Sequence, residues 1–125
     1  MKTFWPGPLT IVFEAAAGLP LEVTQGSGTV GIRIPSNKFC IELVRRCAFP
    51  LTSTSANISG ETMHRTIVEI YRALNSGIDL YIDAGVLPES KPSTVVSVVS
   101  HTPKLIREGV VSFEELQAVL PQIVR

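Results

Sequence analysis

Apolar residues in this chain recur at two spacings, every second residue in some segments and every third or fourth residue in others. The first spacing predicts strands, and the second predicts helices. Alternation predicts strands over residues 29–35 and 78–84. Residues 9–15 are also predicted as a strand, since Ile11, Val12 and Phe13 are typical strand residues, and further strands are predicted for a short stretch from 51, for 93–100 and for 104–108. Predicted helices begin near Ser36 or Asn37, near Ile67, and after Ser112, which has capping-box spacing to Glu115. Because strands and helices interleave without a repeat, we expect an α/β or α+β fold with a mixed sheet flanked by helices.

The second predicted strand has two different faces, because side chains alternate along a strand. It follows a glycine-containing loop predicted for residues 18–28. The face expected to be buried carries Val30, Ile32 and Ile34. Thr29 and Arg33 share the opposite face, and Gly31 lies between them without a side chain. That face is either an ordinary solvent-facing edge or a ligand surface that Gly31 opens to close approach.

Residues 51–60, Leu-Thr-Ser-Thr-Ser-Ala-Asn-Ile-Ser-Gly, are rich in small hydrogen-bonding side chains. Such a segment is poor core material, because each buried hydroxyl needs a partner. Ser, Thr and Asn favour turns and helix N-caps, so one interpretation is a turn followed by a cap. The other interpretation is a loop that surrounds a polar ligand.

Composition and charge indicate which classes of protein this chain resembles. The chain has 125 residues, 45% of them hydrophobic and 18% charged, which is typical of one globular domain. The number of lysines and arginines equals the number of aspartates and glutamates, so the net charge gives no strong attraction to nucleic acid. A local basic patch that binds nucleic acid stays an alternative. No apolar run has the length of a membrane span, and we expect a cytoplasmic protein. Cys40 and Cys47 are expected to be reduced, buried thiols, and no residue pattern indicates a metal site or a catalytic triad.

Five motifs then occur in order along nearly the whole chain. They are Phe-Trp-Pro-Gly-Pro-Leu-Thr (4–10), Val-Gly-Ile-Arg-Ile-Pro (30–35), Thr-Ser-Ala-Asn-Ile-Ser-Gly (54–60), Pro-Ser-Thr-Val-Val (92–96) and Leu-Ile-Arg-Glu-Gly (105–109). Together they resemble the YrdC-like family of L-threonylcarbamoyladenylate synthases. The resemblance implies a twisted α/β domain with a polar cavity on one side of its sheet.

The resemblance also implies an activity. Enzymes of this family condense L-threonine, bicarbonate and ATP into threonylcarbamoyl-AMP and pyrophosphate, with Mg²⁺ expected to arrive on the nucleotide. A downstream tRNA-modification complex then passes the threonylcarbamoyl group to an adenosine beside the anticodon. The implied ATP contacts are Thr29, Ser55, Asn57 and Arg107, and the implied L-threonine contacts are Arg33, Ser53 and Ser93. A guanidinium such as that of Arg33 suits the threonine carboxylate, and we assign no catalytic or metal-binding residue.

The chain also departs from the family pattern. Nothing in it matches the family's Lys-x-Arg motif or the half of the domain that precedes the first motif. We therefore expect a single, partial YrdC-like domain over residues 1–125, truncated at its N-terminus and making little or no product alone. Exposed sheet edge and apolar surface would favour a homodimer.

Two other functions stay open at this point. One is a non-catalytic remnant of the same fold that binds nucleotide or, weakly, double-stranded RNA. The other is the related domain of hydrogenase-maturation carbamoyltransferases, which the lack of neighbouring acylphosphatase-like or zinc-finger sequence disfavours.

Overall fold

Four strands and four helices make up the described part of the chain, which is residues 3–58, 60–74 and 77–125 of a computed structural model. In chain order they are β1 (Leu9–Glu14), α1 (Leu21–Thr24), β2 (Thr29–Ile32), α2 (Lys38–Cys47), α3 (Ile67–Leu74), β3 (Thr94–Ser97), β4 (Lys104–Arg107) and α4 (Phe113–Val119). The chain divides into a sheet unit, Met1–Leu51 with Lys91–Arg125, and an insert unit, Thr52–Ser90. The expectation of one partial domain stays a prediction.

The four strands form one mixed sheet in the order β2-β1-β3-β4, so the predicted α+β class is confirmed. The central β1 and β3 are parallel, and each outer strand pairs antiparallel with its inner neighbour. One face of the sheet packs on the core, which consists of Leu9, Ile11, Val96, Val111, Leu116 and Ile123. The opposite face is therefore free to carry polar side chains, as is common where a sheet is covered on one side only.

The helix starts follow the predicted capping signals. Asn37 caps α2, since its Oδ1 accepts a hydrogen bond from the Cys40 backbone N–H at 3.2 Å. Ser112 and Glu115 form the predicted capping box at α4, where each side chain accepts from the other residue's backbone N–H. The α4 helix then buries Leu116 in the core of the sheet unit. Capping and burial together fix where this helix begins and which face it buries.

The predicted burial of β2 is wrong. Val30 is half-buried, whereas Ile32 and Ile34 are 44% and 42% exposed. The strand also ends at Ile32, three residues earlier than predicted. The reason is that β2 is the outermost strand on its side of the described sheet, so its side chains have strand neighbours on one side only.

Two predicted strands do not form, and one predicted loop contains a helix. Residues 51–58 and 77–84 include no strand, although residues 78–84 alternate regularly. A strand needs a partner for its backbone N–H and C=O groups, and alternation alone does not supply one. The one-turn α1 lies inside the loop predicted for residues 18–28. The predicted stop of α3 includes Asn75 and Ser76, which lie outside the described residues.

The α2 helix buries less than its apolar spacing predicts. Cys40 and Cys47 are free thiols, but they are half-buried, and Phe39 is 52% exposed. Arg45 and Arg46 lie on a solvated face, and both pair with Glu42. None of the helices within the described ranges is long and apolar enough to cross a membrane.

Candidate functional site

Side chains from three strands and from the residue that follows β2 form a row across one end of the sheet face opposite the core, which we call the open face. Thr10 is paired with Val95, and Val95 is paired with Arg107. Continuing the β1–β2 register by one residue places Arg33 opposite Thr10. Paired residues share a face, so these four residues form what we call the cross-sheet row. At a strand spacing of about 4.8 Å, the Cα atoms of the two arginines are roughly 14 Å apart.

A β-bulge directs Arg107 to the open face. Val96 pairs with Leu105 and Val95 with Arg107, which leaves Ile106 as an extra residue in β4. Without the bulge, Leu105 and Arg107 would lie on the same face of the strand. With it, Leu105 packs against the core and Arg107 lies on the opposite face. The bulge therefore makes this arginine available to the cross-sheet row.

Arg107 is anchored to the residue that precedes β3. Its Nε and Nη2 donate to the Ser93 carbonyl oxygen at 3.3 and 3.0 Å. These bonds orient an otherwise exposed guanidinium and leave Nη1 without a hydrogen-bond partner among the described residues. The fork is thus held in place while part of its donor capacity stays free for a phosphate or carboxylate.

The wholly buried Thr94 fastens the end of β4 to the start of β3. Its Oγ1 donates to the Val111 carbonyl oxygen at 2.6 Å and accepts from the backbone N–H groups of Gly109 and Val111, each at 3.0 Å. A Cβ added at Gly109 would collide with the Pro92 carbonyl oxygen. The close approach of residues 92–94 and 109–111 therefore depends on the Thr94 hydroxyl and on Gly109. This approach fixes the position of the neighbouring Arg107.

Arg33 is held by the segment that carries the first motif. Its Nε donates to the Gly7 carbonyl oxygen at 3.0 Å, and the Gly7 N–H donates to the Ile34 carbonyl oxygen at 2.8 Å. Gly7 is buried, and a Cβ there would lie 2.5 Å from the Phe4 carbonyl oxygen. Within the described residues, Nη1 and Nη2 of Arg33 have no hydrogen-bond partner. The Gly7 carbonyl oxygen therefore orients the Arg33 guanidinium, whose terminal amino groups are free to bind an anion.

Ser93 and Thr10 join their hydroxyls between the two arginines. Their Oγ and Oγ1 atoms are 2.9 Å apart, and either atom can be the donor. Both residues are half-buried. A Cβ at Gly31 would lie 3.3 Å from Cγ2 of Thr10, so the glycine leaves space beside this side chain. The open face thus combines a hydroxyl pair with a cationic group on each side.

Thr29 lies at the other end of β2, opposite Glu14. It is four positions before Arg33, which is about 13 Å along an extended strand. Its Oγ1 forms a hydrogen bond of 2.9 Å with Oγ of Ser27. Of the predicted contacts in the sheet unit, the structure therefore brings Arg33, Ser93 and Arg107 to one end and places Thr29 at the other.

The remaining predicted site residues belong to the insert unit. Ser53 and Ser55 are exposed, and Asn57 is half-buried. Nδ2 of Asn57 donates to the carbonyl oxygens of Ile58 and Glu61 at 3.1 and 2.8 Å, so this side chain organises a turn. That turn agrees with one part of the composition-based interpretation of residues 51–60. The assignment of Ser53 to L-threonine, and of Ser55 and Asn57 to ATP, stays a prediction.

The cap of α3 comes from a later residue than the hydroxyl-rich stretch. Oγ1 of Thr66 accepts from the Glu69 N–H at 3.3 Å, and Oε2 of Glu69 accepts from the backbone N–H groups of Arg65 and Thr66 at 2.9 and 3.1 Å. The bond from the Arg65 backbone, followed by those from Thr66, lowers the pKa of Glu69. Hydroxyls in residues 51–58 are therefore not needed to start this helix.

The insert unit also contains a cavity of about 230 Å³, lined mostly by apolar side chains. Two of its polar members have partners: Arg65 donates to the Leu87 carbonyl oxygen, and Asp83 accepts from the Gly85 N–H, both at 2.8 Å. The buried hydroxyl of Tyr81, which also lines the cavity, has no hydrogen-bond partner among the described residues. No predicted site residue lines it. In the part of the chain that the structure describes, no three His, Cys, Asp or Glu side chains converge as a metal site requires.

Sequence reasoning missed three residues that shape the site, Gly7, Thr10 and Thr94. A signal existed for the two threonines. Thr10 interrupts the apolar run from Leu9 to Ile11, and Thr94 shares the core-facing parity of Val96, where a polar group needs a partner. Gly7 lies between two prolines in the first motif, but the sequence does not show its role, which depends on the close approach of Phe4 and on the bond with Arg33.

Comparisons with known proteins agree with this architecture. The Sua5/YciO/YrdC family profile, described as telomere recombination, matches residues 1–109. The chain is 32% identical to the threonylcarbamoyl-AMP synthase of Pyrococcus abyssi, over 98% of this chain and 36% of the relative. It is 40% identical to a putative threonylcarbamoyl-AMP synthase of Methanocaldococcus jannaschii, over 90% of this chain and 52% of the relative. The chain thus spans only about a third to a half of the curated relatives it matches.

Solved structures give the same picture. P. abyssi Sua5 complexed with L-threonine is 31% identical, with a TM-score of 0.88 over 98% of this chain and 37% of that chain. E. coli YciO is 32% identical, with a TM-score of 0.76 over 88% of this chain and 54% of that chain. Both similarities extend over most of the residues considered above.

Proposed function

The chain belongs to the Sua5/YciO/YrdC family, and we propose that it supplies L-threonine and ATP contacts for threonylcarbamoyl-AMP synthesis. The observation that carries the proposal is the cross-sheet row together with Ser93: the two anchored guanidinium groups of the row flank the hydroxyl pair of Thr10 and Ser93. A bound amino acid needs a cation for its carboxylate, and a nucleotide needs cations and donors for its phosphates. The P. abyssi relative crystallised with L-threonine supports the choice of amino acid.

In this proposal Arg33 receives the threonine carboxylate through its free terminal amino groups. Ser93 adds a hydroxyl beside it, and Arg107 faces the phosphates of ATP, with Mg²⁺ arriving on the nucleotide. Ser53 is assigned to L-threonine, and Thr29, Ser55 and Asn57 are assigned to ATP on the resemblance alone.

The reaction requires positioning and charge stabilisation more than a protein nucleophile. The threonine amine attacks the carbon of bicarbonate, and a water molecule leaves as the carbamate forms. A carbamate oxygen then bonds to the α-phosphorus of ATP. The bond from that phosphorus to the bridging oxygen breaks, and pyrophosphate leaves with the electron pair. Fixed cations such as Arg107 stabilise the charge that develops on the phosphates.

We further propose that these 125 residues alone synthesise threonylcarbamoyl-AMP slowly. ATP carries about four negative charges, and the two arginines of the row offset only part of them even with Mg²⁺ bound. Binding without efficient turnover is therefore the expected behaviour. Transfer of the product to tRNA would require the downstream complex.

Titration calorimetry with L-threonine and ATP separately tests the proposal. We expect Arg33→Ala to weaken L-threonine binding roughly ten- to a hundredfold, because a charge-assisted hydrogen bond contributes about 1.5–3 kcal/mol. ATP binding should change much less. Arg45→Ala is the matched control, since it removes the same charge from an exposed helix position paired with Glu42.

The results separate the alternatives. Equal losses for both ligands would assign Arg33 to the nucleotide or to the fold. ATP binding without L-threonine binding in the unmodified chain would favour a nucleotide-binding remnant of the same fold. Robust pyrophosphate release from ATP, L-threonine and bicarbonate would refute the expectation of slow turnover.

A further inference from the structure

We propose that Thr10 is a positioning residue that orients the Ser93 hydroxyl toward the amino-acid substrate. The inference rests on the proposed function for its ligand, and on geometry alone for the interaction between the two side chains. Thr10 touches Ser93 through Oγ1, at 2.9 Å, and we assign it no direct role in the chemistry. It acts through the serine.

The backbone and side chain of Thr10 are both confined. The residue lies in β1, paired with Val95 of β3, so its main chain is fixed by the ladder. β-Branched side chains are stiff at χ1, so Oγ1 has few alternative positions. Oγ1 is therefore a fixed point against which Ser93 can be oriented.

Ser93 needs such a fixed point. It precedes β3, and its carbonyl oxygen is held by Arg107, but its Oγ has no partner other than Thr10 among the described residues. Without that partner, a serine side chain has three staggered rotamers to choose from. Loss of the Thr10 hydroxyl would therefore release the Ser93 side chain while the backbone around it stays anchored.

The protons of the pair give the contact a direction. Each hydroxyl carries one proton, so when one donates to the other, one proton of the pair is left over. An anionic carboxylate bound beside Arg33 accepts hydrogen bonds and does not donate them. The arrangement that satisfies all partners has Thr10 donating to Ser93 and Ser93 donating to the ligand. Successive hydrogen bonds of this kind strengthen one another.

Two substitutions at Thr10 isolate the hydroxyl. Thr10→Val keeps the branched shape and the strand propensity but removes the hydrogen bond, and Thr10→Ser keeps the hydroxyl as the rescue variant. The first measurement needs no ligand. Three-bond couplings at the Ser93 β-protons, from NMR of the whole chain, should report one χ1 rotamer in wild type and Thr10→Ser and averaging in Thr10→Val. Averaging already in wild type, or one fixed rotamer in Thr10→Val, would overturn the proposal.

The second measurement is the affinity for L-threonine and for ATP. Thr10→Val should weaken L-threonine binding about fivefold, the worth of one neutral hydrogen bond, and should change ATP binding less than about twofold. Thr10→Ser should restore most of the affinity. Unchanged L-threonine binding in Thr10→Val, or parallel losses for both ligands, would overturn the proposal.

A double-mutant cycle with Ser93→Ala then tests whether Thr10 acts through the serine. In the Ser93→Ala background, Thr10→Val should have no further effect on L-threonine affinity, because its target is gone. An undiminished effect there would show that Thr10 acts elsewhere. If wild type binds no L-threonine at all, the proposed function fails, and the couplings still decide whether Thr10 positions Ser93.

Discussion

The sheet unit and the insert unit use similar sequence patterns with opposite results. Within the described residues, every fully buried side chain lies in the sheet unit. The insert unit leaves large apolar side chains in solvent, with Leu80 and Val86 73% and 70% exposed. Residues 78–84 alternate more regularly than β1, in which Ile11, Val12 and Phe13 are consecutive, yet of the two segments only β1 has neighbouring strands.

The comparison shows what alternation does and does not specify. It determines which face a segment would bury once it is paired, but the pairing itself depends on backbone groups elsewhere. β1 pairs on both sides, with β2 and β3, and its inward residues are buried. In the insert unit, residues 78–84 alternate in sequence but form no strand, because no other strand in the described part of the chain pairs with them.

Hydrogen exchange should give the largest contrast between the two units. We expect backbone amides of β1 and β3 to exchange roughly a thousandfold more slowly than those of residues 78–84, since ladder amides open only with the core. Mass spectrometry of peptides from each unit measures this contrast. Comparable protection would mean that residues 78–84 are paired in solution, and the comparison between the units would fail.

The next largest effect should come from Thr94→Val. The substitution preserves shape but leaves the carbonyl oxygen of Val111 and the N–H groups of Gly109 and Val111 without their buried partner. We expect a loss of roughly 3 kcal/mol in the free energy of unfolding of the sheet unit. Urea titration followed by the fluorescence of Trp5, the single tryptophan, reports on this unit.

Thr24→Val is the matched control. Thr24 is also buried, but its Oγ1 makes one long bond, at 3.5 Å, to the Leu21 carbonyl oxygen and accepts none from the backbone N–H groups of its turn. Its loss should therefore cost much less than that of Thr94. Similar losses in the free energy of unfolding for the two variants would show that the three hydrogen bonds of Thr94 add little beyond those of an ordinary buried threonine.

The sequence predicted the elements whose signals are local. Both predicted cap positions, at Asn37 and Ser112, are confirmed, as are β1, β4 and the mixed sheet. Each of these depends on residues a few positions apart, or on alternation within a segment that finds a partner. The incorrect predictions, the burial of β2 and the two extra strands, depend on what lies beside a segment in space.

The candidate site was predictable in part for the same reason. The motifs supplied Arg33, Ser93 and Arg107, and the structure places these three at one end of the open face. Their arrangement depends on features that sequence spacing does not contain. The bulge at Ile106 reverses the face of Arg107, and the carbonyl oxygen of Gly7 orients Arg33.

The exposed apolar side chains of the insert unit are candidates for contacts between two copies of the chain. If they mediate the homodimer that the sequence led us to expect, Leu80→Ser with Ile82→Ser should reduce the mass measured by light scattering. Val110→Ser with Val119→Ser is the matched control, since these residues are 48% and 51% exposed in the sheet unit. A monomeric wild-type chain, or loss of the dimer only in the control, would assign no such role to the insert unit.

The smallest predicted effect concerns two similar caps, one in each unit. In the sheet unit, the Ser112 backbone and side-chain hydrogen bonds lower the pKa of Glu115 below its ordinary value of 4.5. In the insert unit, bonds from Arg65 and Thr66 lower the pKa of Glu69 in the same way. A carboxyl whose folded pKa is lowered stabilises the fold above about pH 4.5, and that contribution is lost as the pH falls through the folded pKa.

Glu115→Gln should therefore lower the urea midpoint of the Trp5 transition at pH 7, and its difference from wild type should disappear as the pH falls through the folded pKa of Glu115. Glu69→Gln should leave that transition unchanged and instead affect a signal from the insert unit. The edge-to-face pair of Tyr71 and Tyr81, the only tyrosines, provides that signal in near-ultraviolet circular dichroism. If both variants shift the Trp5 transition equally, the two units unfold as one. The difference in burial between them would then not correspond to a difference in stability.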